Sequence, residues 1–228
     1  MTSQSLKGRH VLMVIAPRDF RDEEFLQPKA FFEAEGAIVE TASTTVDVAR
    51  GMLGAEVKPD LAISDVDPHR YNAIALVGGS GARTYLWDHH VLHALLRSAR
   101  DDGTPIGAIC LSPAALARAG LLHGVRATVY EDARAKHDLE RGGALYVDEH
   151  VVSDQGIVTA AGPRDARAFA EALVRLMIRG TSQPAGRRVA AGKPSNQEGA
   201  RHRNVSKKHV KGYDGRVLRS APVTRVRE

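Results

Sequence analysis

Only one cysteine, Cys110, occurs in the 228 residues, so the chain cannot close a disulfide on itself. No run of ~18 or more apolar residues occurs, which argues against a membrane-spanning helix and a membrane partner. The opening residues, Met1-Thr2-Ser3-Gln4-Ser5-Leu6-Lys7, pass into a strand-like segment without the apolar stretch of a secretory signal. A lone thiol and no export signal predict a cytoplasmic protein in which the thiol stays reduced. Zinc-ligand spacings are also missing. Gly78-Gly79-Ser80-Gly81 follows a strand, yet the next residues match neither a dinucleotide nor a P-loop fingerprint. His90 and His93 are i,i+3 apart at a helix start but have no evident third ligand, so they read as a solvated polar face. No cofactor and no metal are expected.

Charge is present but unevenly placed. Residues 1–180 hold 20 Lys and Arg against 24 Asp and Glu, whereas residues 181–228 hold 12 against 3. The net charge of +5 therefore belongs to the tail, and the body is mildly acidic. The tail is rich in Gly, Ser, Pro, Asn and basic residues and poor in apolar ones, which predicts disorder. A basic arm of this kind can touch nucleic acid, but a solvated extension is the favoured reading. The expected organisation is one α/β domain over 1–180 and a basic tail over 181–228.

Within the body, short continuous apolar runs alternate with helical spacing. Val11 to Ala16 reads as a strand buried on both faces, Pro105 to Ile109 as another buried strand, and Ile38 to Ala42, Ala73 to Val77 and Ile157 to Ala160 as strands. Ala127 to Tyr130 and Tyr146 to Val152 supply further strands, and residues 47–68 a hairpin or loop. Helices are expected over Phe25 to Glu35, Val91 to Arg100, Pro113 to Leu122 and Ala166 to Ile178. Trp87, beside Leu86, reads as an aromatic packed at a domain or subunit surface. This alternation predicts a three-layer, flavodoxin-like α/β fold, a mostly parallel sheet with helices on both faces.

Gly107-Ala108-Ile109-Cys110-Leu111-Ser112-Pro113 is the most informative segment. A buried strand ends at the cysteine and a helix begins two or three residues later, which forces a tight turn with the side chain beyond the strand's carboxyl end. Unpaired N–H groups and the dipole of the following helix are expected to lower the thiol pKa. The competing reading is a buried, inert cysteine; the strand–Cys–helix context favours a reactive one.

This segment resembles the nucleophile elbow of the DJ-1/ThiJ/PfpI family, within the class I glutamine-amidotransferase-like superfamily. Three further stretches share the resemblance: Ala16 to Glu24 after the first strand, Val77-Gly78-Gly79-Ser80-Gly81, and Ile157 to Pro163. Together they cover most of residues 8–180. The resemblance implies that Cys110 is the nucleophile and that Glu24 is the buried acid that exchanges protons with it. A slip of one residue would put Glu23 there instead, but Phe25-Leu26 match the apolar pair that opens the helix and favour Glu24. The resemblance also implies that backbone N–H groups of Gly79 and Leu111 face an oxyanion, and that the protein is a homo-oligomer.

One departure matters. Protease-like members carry a histidine directly after the cysteine, where this chain has Leu111. The region of a second histidine in other members reads Thr128-Val129-Tyr130-Glu131. His137 and His150 lie in the right half of the chain and read as surface residues. A Cys–Glu pair suits a small electrophilic carbonyl, so the expected activity is that of a glyoxalase or deglycase acting on reactive carbonyls or glycated groups. An intracellular cysteine peptidase of the PfpI type and a non-enzymatic, redox-sensing stress chaperone remain as alternatives.

Overall fold

The computed structural model describes residues 5–180; the tail over 181–228, for which disorder is expected, lies outside the described residues. From the amino end the chain runs through β1 (His10–Val14), β2 (Arg18–Phe20), α1 (Asp22–Ala34) and β3 (Ile38–Ser43). A small excursion follows in β4 (Ala49–Gly51), β5 (Glu56–Val57) and β6 (Leu61–Ala62). The middle holds β7 (Ala73–Leu76), α2 (Ser80–Tyr85), α3 (His90–Asp101), β8 (Ile106–Ile109) and α4 (Pro113–Arg118). The last third is β9 (Arg126–Ala127), α5 (Ala133–Arg141), β10 (Leu145–Tyr146), β11 (Val151–Asp154), β12 (Ile157–Ala160) and α6 (Ala166–Gly180).

Seven strands form the central sheet in the order β11-β12-β8-β7-β1-β3-β6. Every pair is parallel except β11 with β12 at one edge. Helices α1 and α6 pack on each other and on the sheet, and α3 packs on β8 as well. Strands β7, β8 and β12 are buried along their whole length, and β1 everywhere but at His10, because both faces are covered. Gly107 shows how close the layers are: a Cβ there would stand 2.6 Å from Phe169 of α6. This is the flavodoxin-like architecture expected. No helix of the described residues is long and apolar enough to cross a membrane.

Strand order also says where a site belongs. From β1 the chain first builds outward to β3 and β6, then returns to the other flank of β1 and builds β7, β8 and β12. The loops that leave β1 and β7 therefore diverge and open a crevice at the carboxyl ends of the strands.

Several local expectations need correction. Helix α1 starts at Asp22 rather than Phe25, since Asp22, Glu23 and Glu24 fill a first turn that favours acids. Of the expected Ala127–Tyr130 strand only Ala127 lies in a ladder; together with Arg126 it pairs with β10, outside the main sheet. The expected Pro113–Leu122 helix stops at Arg118. Trp87 is not a surface aromatic but fully buried. Its Nε1–H donates to the Leu111 carbonyl at 2.8 Å, and guanidinium groups of Arg118, Arg83 and Arg134 stand 4.8, 5.1 and 5.7 Å from its ring centre. A buried indole with its N–H satisfied and charge over its face needs no partner subunit.

Candidate active site

Three turns at the carboxyl edge of the sheet meet at one point. Cys110 follows β8 with φ of 62°, a left-handed conformation rare for a side-chain-bearing residue. Both its backbone groups are tied: its N–H donates to Ala160 O and its carbonyl accepts from Tyr130 N–H, each at 2.9 Å. Ser112 Oγ–H donates to Val77 O at 2.7 Å and pins the turn to the end of β7. These bonds hold the strained residue in place, which is the condition under which such strain persists. Asp19, in the loop after β1, is also left-handed at φ 56°.

The glycine turn after β7 brings Glu24 to the thiol. Gly78 N–H donates to Glu24 Oε2 at 3.0 Å, and Arg21 N–H donates to Gly78 O at 3.1 Å. A Cβ on Gly78 would lie 2.6 Å from Cys110 Cβ and 2.6 Å from Glu24 Oε2, so the absent side chain is the space in which acid and thiol approach. Gly79 has φ of 95°, a backbone state that glycine adopts without strain. Glu24 is wholly buried, whereas Glu23 is held by Arg21 through two bonds of 2.8 and 3.0 Å. Of the two candidates, Glu24 is the one that reaches the thiol.

Burial sets the proton positions. It pushes the Glu24 carboxyl up to about 7, against the opposing pull of the thiol and the Gly78 N–H. Burial, and then the Glu24 carboxylate, push the Cys110 thiol up to about 12, while the N–H groups of Gly79 and Leu111 act the other way. Burial and the neighbouring acid thus oppose the lowering of the thiol pKa expected from the helix start. Two acids in such contact do not both ionise, and near neutral pH a proton is shared between them. The Gly79 and Leu111 N–H groups converge on the sulfur from opposite turns, the geometry needed to receive negative charge there.

Above the thiol opens a cleft of about 750 Å³ walled by Arg21, Met52, Tyr130, His150 and Arg164. Met52 is placed by Asp22, whose carboxylate accepts from Leu53 N–H at 2.8 Å and Ala55 N–H at 2.7 Å. His150 is a surface residue, as expected, and it lines this cleft with Cys110; its Nδ1 lies 3.0 Å from Asp165 Oδ1. The pairing joins the turn before β11 to the turn after β12, a tertiary meeting that spacing along the chain does not reveal. His137 is exposed on α5, away from the cleft residues. His93 is buried, with its Nε2–H donating to Trp87 O at 2.8 Å, and is not part of a solvated face.

The sequence profile of the DJ-1/PfpI family matches residues 9–176. The chain belongs to the DJ-1/PfpI family. Within it, the chain is 45% identical over 166 residues to an uncharacterized protein of Methanocaldococcus jannaschii, covering 73% of this chain and 81% of that one. A deglycase of Thermococcus kodakarensis is 29% identical over 166 residues, covering 73% of this chain and 98% of its own. Among solved structures, a ThiJ/PfpI domain protein from Brachyspira murdochii superposes with a TM-score of 0.71 at 31% identity, over 75% of this chain and 97% of that chain. The family match covers the sheet and all three turns that form the site.

Proposed function

We propose that the protein is a cysteine-dependent enzyme acting on small reactive carbonyls or glycated groups, with Cys110 as nucleophile and Glu24 as its proton partner. The observation that carries this reading is the buried Cys110–Glu24 contact across Gly78. A carboxyl with pKa near 7 can take the thiol proton as sulfur attacks and return it to the carbonyl oxygen as the adduct forms. The N–H groups of Gly79 and Leu111 stabilise the thiolate formed in transit. Leu111 directly after the cysteine, in place of a histidine, weighs against peptide cleavage. A deglycase among the relatives supports an enzymatic role.

The test is formation of D-lactate from methylglyoxal without glutathione by the wild type, Cys110→Ala and Glu24→Gln. Turnover is expected to vanish in the first variant and to fall about 10²-fold or more in the second. Equal turnover by all three proteins would remove the proposal.

A further inference from the structure

Glu24 can serve the sulfur but not the solvent. It is fully buried beneath the thiol, on the closed side of the site. Any reaction that consumes water needs a second proton acceptor where water enters. On the open side of the same cleft stands His150, its side chain 85% exposed and its Nδ1 facing Asp165, itself only 14% exposed. A carboxylate 3.0 Å from Nδ1 favours the tautomer protonated there and leaves the Nε2 lone pair free.

We propose that His150, oriented by Asp165, is the base that activates water to release the acyl group from Cys110; this rests on the carbonyl reading above. With a 2-oxoaldehyde, the S–H adds across the aldehyde: an S–C bond forms and the thiol proton passes through Glu24 to the oxygen. The aldehyde hydrogen then shifts with its bonding electron pair to the neighbouring carbonyl carbon, while the hydroxyl proton of the adduct passes to that carbon's oxygen. One carbon is oxidised and the other reduced, so no external redox partner is needed, and a 2-hydroxy thioester remains on Cys110. His150 Nε2 takes a proton from water as its oxygen bonds to the acyl carbon. The C–S bond breaks, and the proton held by His150 returns by way of solvent to the departing sulfur. The product is a 2-hydroxy acid.

Other groups are less suited to this step. Arg21 and Arg164 are cations, Glu131 is exposed and paired with Lys136 at 2.7 Å, and Asp165 already faces the imidazole. These are the charged groups that face His150 across the cleft, besides the Cys110–Glu24 pair.

The experiment uses methylglyoxal as probe with the full chain, following turnover and the acylation of Cys110 by intact-protein mass spectrometry. His150→Gln is expected to lower steady-state turnover about 10²-fold and to accumulate the Cys110 adduct. Asp165→Asn is expected to fall between the two, and His137→Gln to match the wild type. Wild-type turnover by His150→Gln with no trapped adduct would overturn the proposal while leaving the Cys110–Glu24 reading intact. Turnover by Cys110→Ala, or a wild type that neither forms the adduct nor turns over, would overturn both. An unchanged melting temperature in His150→Gln separates lost chemistry from lost folding.

Discussion

Glu24 is buried against the Cys110 thiol and His150 lines the open cleft above it, and they differ in almost every physical respect. Glu24 is sealed in, braced by Gly78 N–H, and holds its proton up to about pH 7 because burial penalises its charge. His150 stands open to solvent with a carboxylate at its back. The first can exchange protons only with the sulfur and what the sulfur binds. The second can exchange them with bulk water. The contrast shows that burial, rather than residue type, decides which step of a reaction a proton carrier can serve.

The largest way to break this contrast is to fill the closed side. Gly78→Ala would put a methyl group 2.6 Å from both Cys110 Cβ and Glu24 Oε2 and 2.7 Å from Ile109 O, all of them confined. Methylglyoxal turnover is expected to fall at least ~10²-fold, with a stability loss of about 1–3 kcal/mol in urea denaturation. Unchanged turnover would mean that acid and thiol need not meet across the glycine.

A second prediction sharpens the contrast through pH. Because the folded state raises the Glu24 pKa from 4.5 to about 7, the native protein binds the proton more tightly than the unfolded chain. Stability is therefore expected to fall as pH rises through that window and to level off above it, by about 3 kcal/mol in all. Glu24→Gln removes the effect, so urea denaturation at pH 5 and pH 8 should show a smaller drop in the variant, by about 2 kcal/mol. Parallel behaviour of the two proteins would place an ionised Glu24 in the fold. The exposed side, by contrast, is expected to leave folding stability little changed when His150 is replaced.

The smallest effect concerns the wall between them. Asp22→Asn keeps at most one of the two bonds to Leu53 and Ala55 N–H and loosens the turn that carries Met52. A cost of about 1–2 kcal/mol is expected, with a higher KM for methylglyoxal and little change in kcat. A kcat loss with KM unchanged would instead assign Asp22 to the chemistry.

The sheet was legible where strands are buried on both faces. Ala73 to Leu76 and Ile157 to Ala160 are continuous apolar runs because neither face meets water. A short piece such as β2 carries no such signal; three residues cannot show a period. Helix α5 escaped notice because Ala133–Arg141 is almost wholly polar and buries only Ala135, Asp138 and Leu139. At the site, Cys110, Glu24 and the glycine turn lie at strand ends and could be read in order. The direction of the thiol's pKa could not, because the helix start is written in the sequence while the depth of burial is not. The pairing of His150 with Asp165 is not legible for a related reason: the register of the β11–β12 hairpin brings them together, and neither residue type signals the other.

Trp87 gives the molecule a built-in optical reporter. It is the chain's only tryptophan, so intrinsic emission excited at the red edge of indole absorption comes from one buried ring. That ring's N–H is anchored on the carbonyl of Leu111, the residue whose own N–H faces the sulfur. Light from Trp87 therefore reports on a peptide group of the reaction centre, without a label and without a change to the sequence.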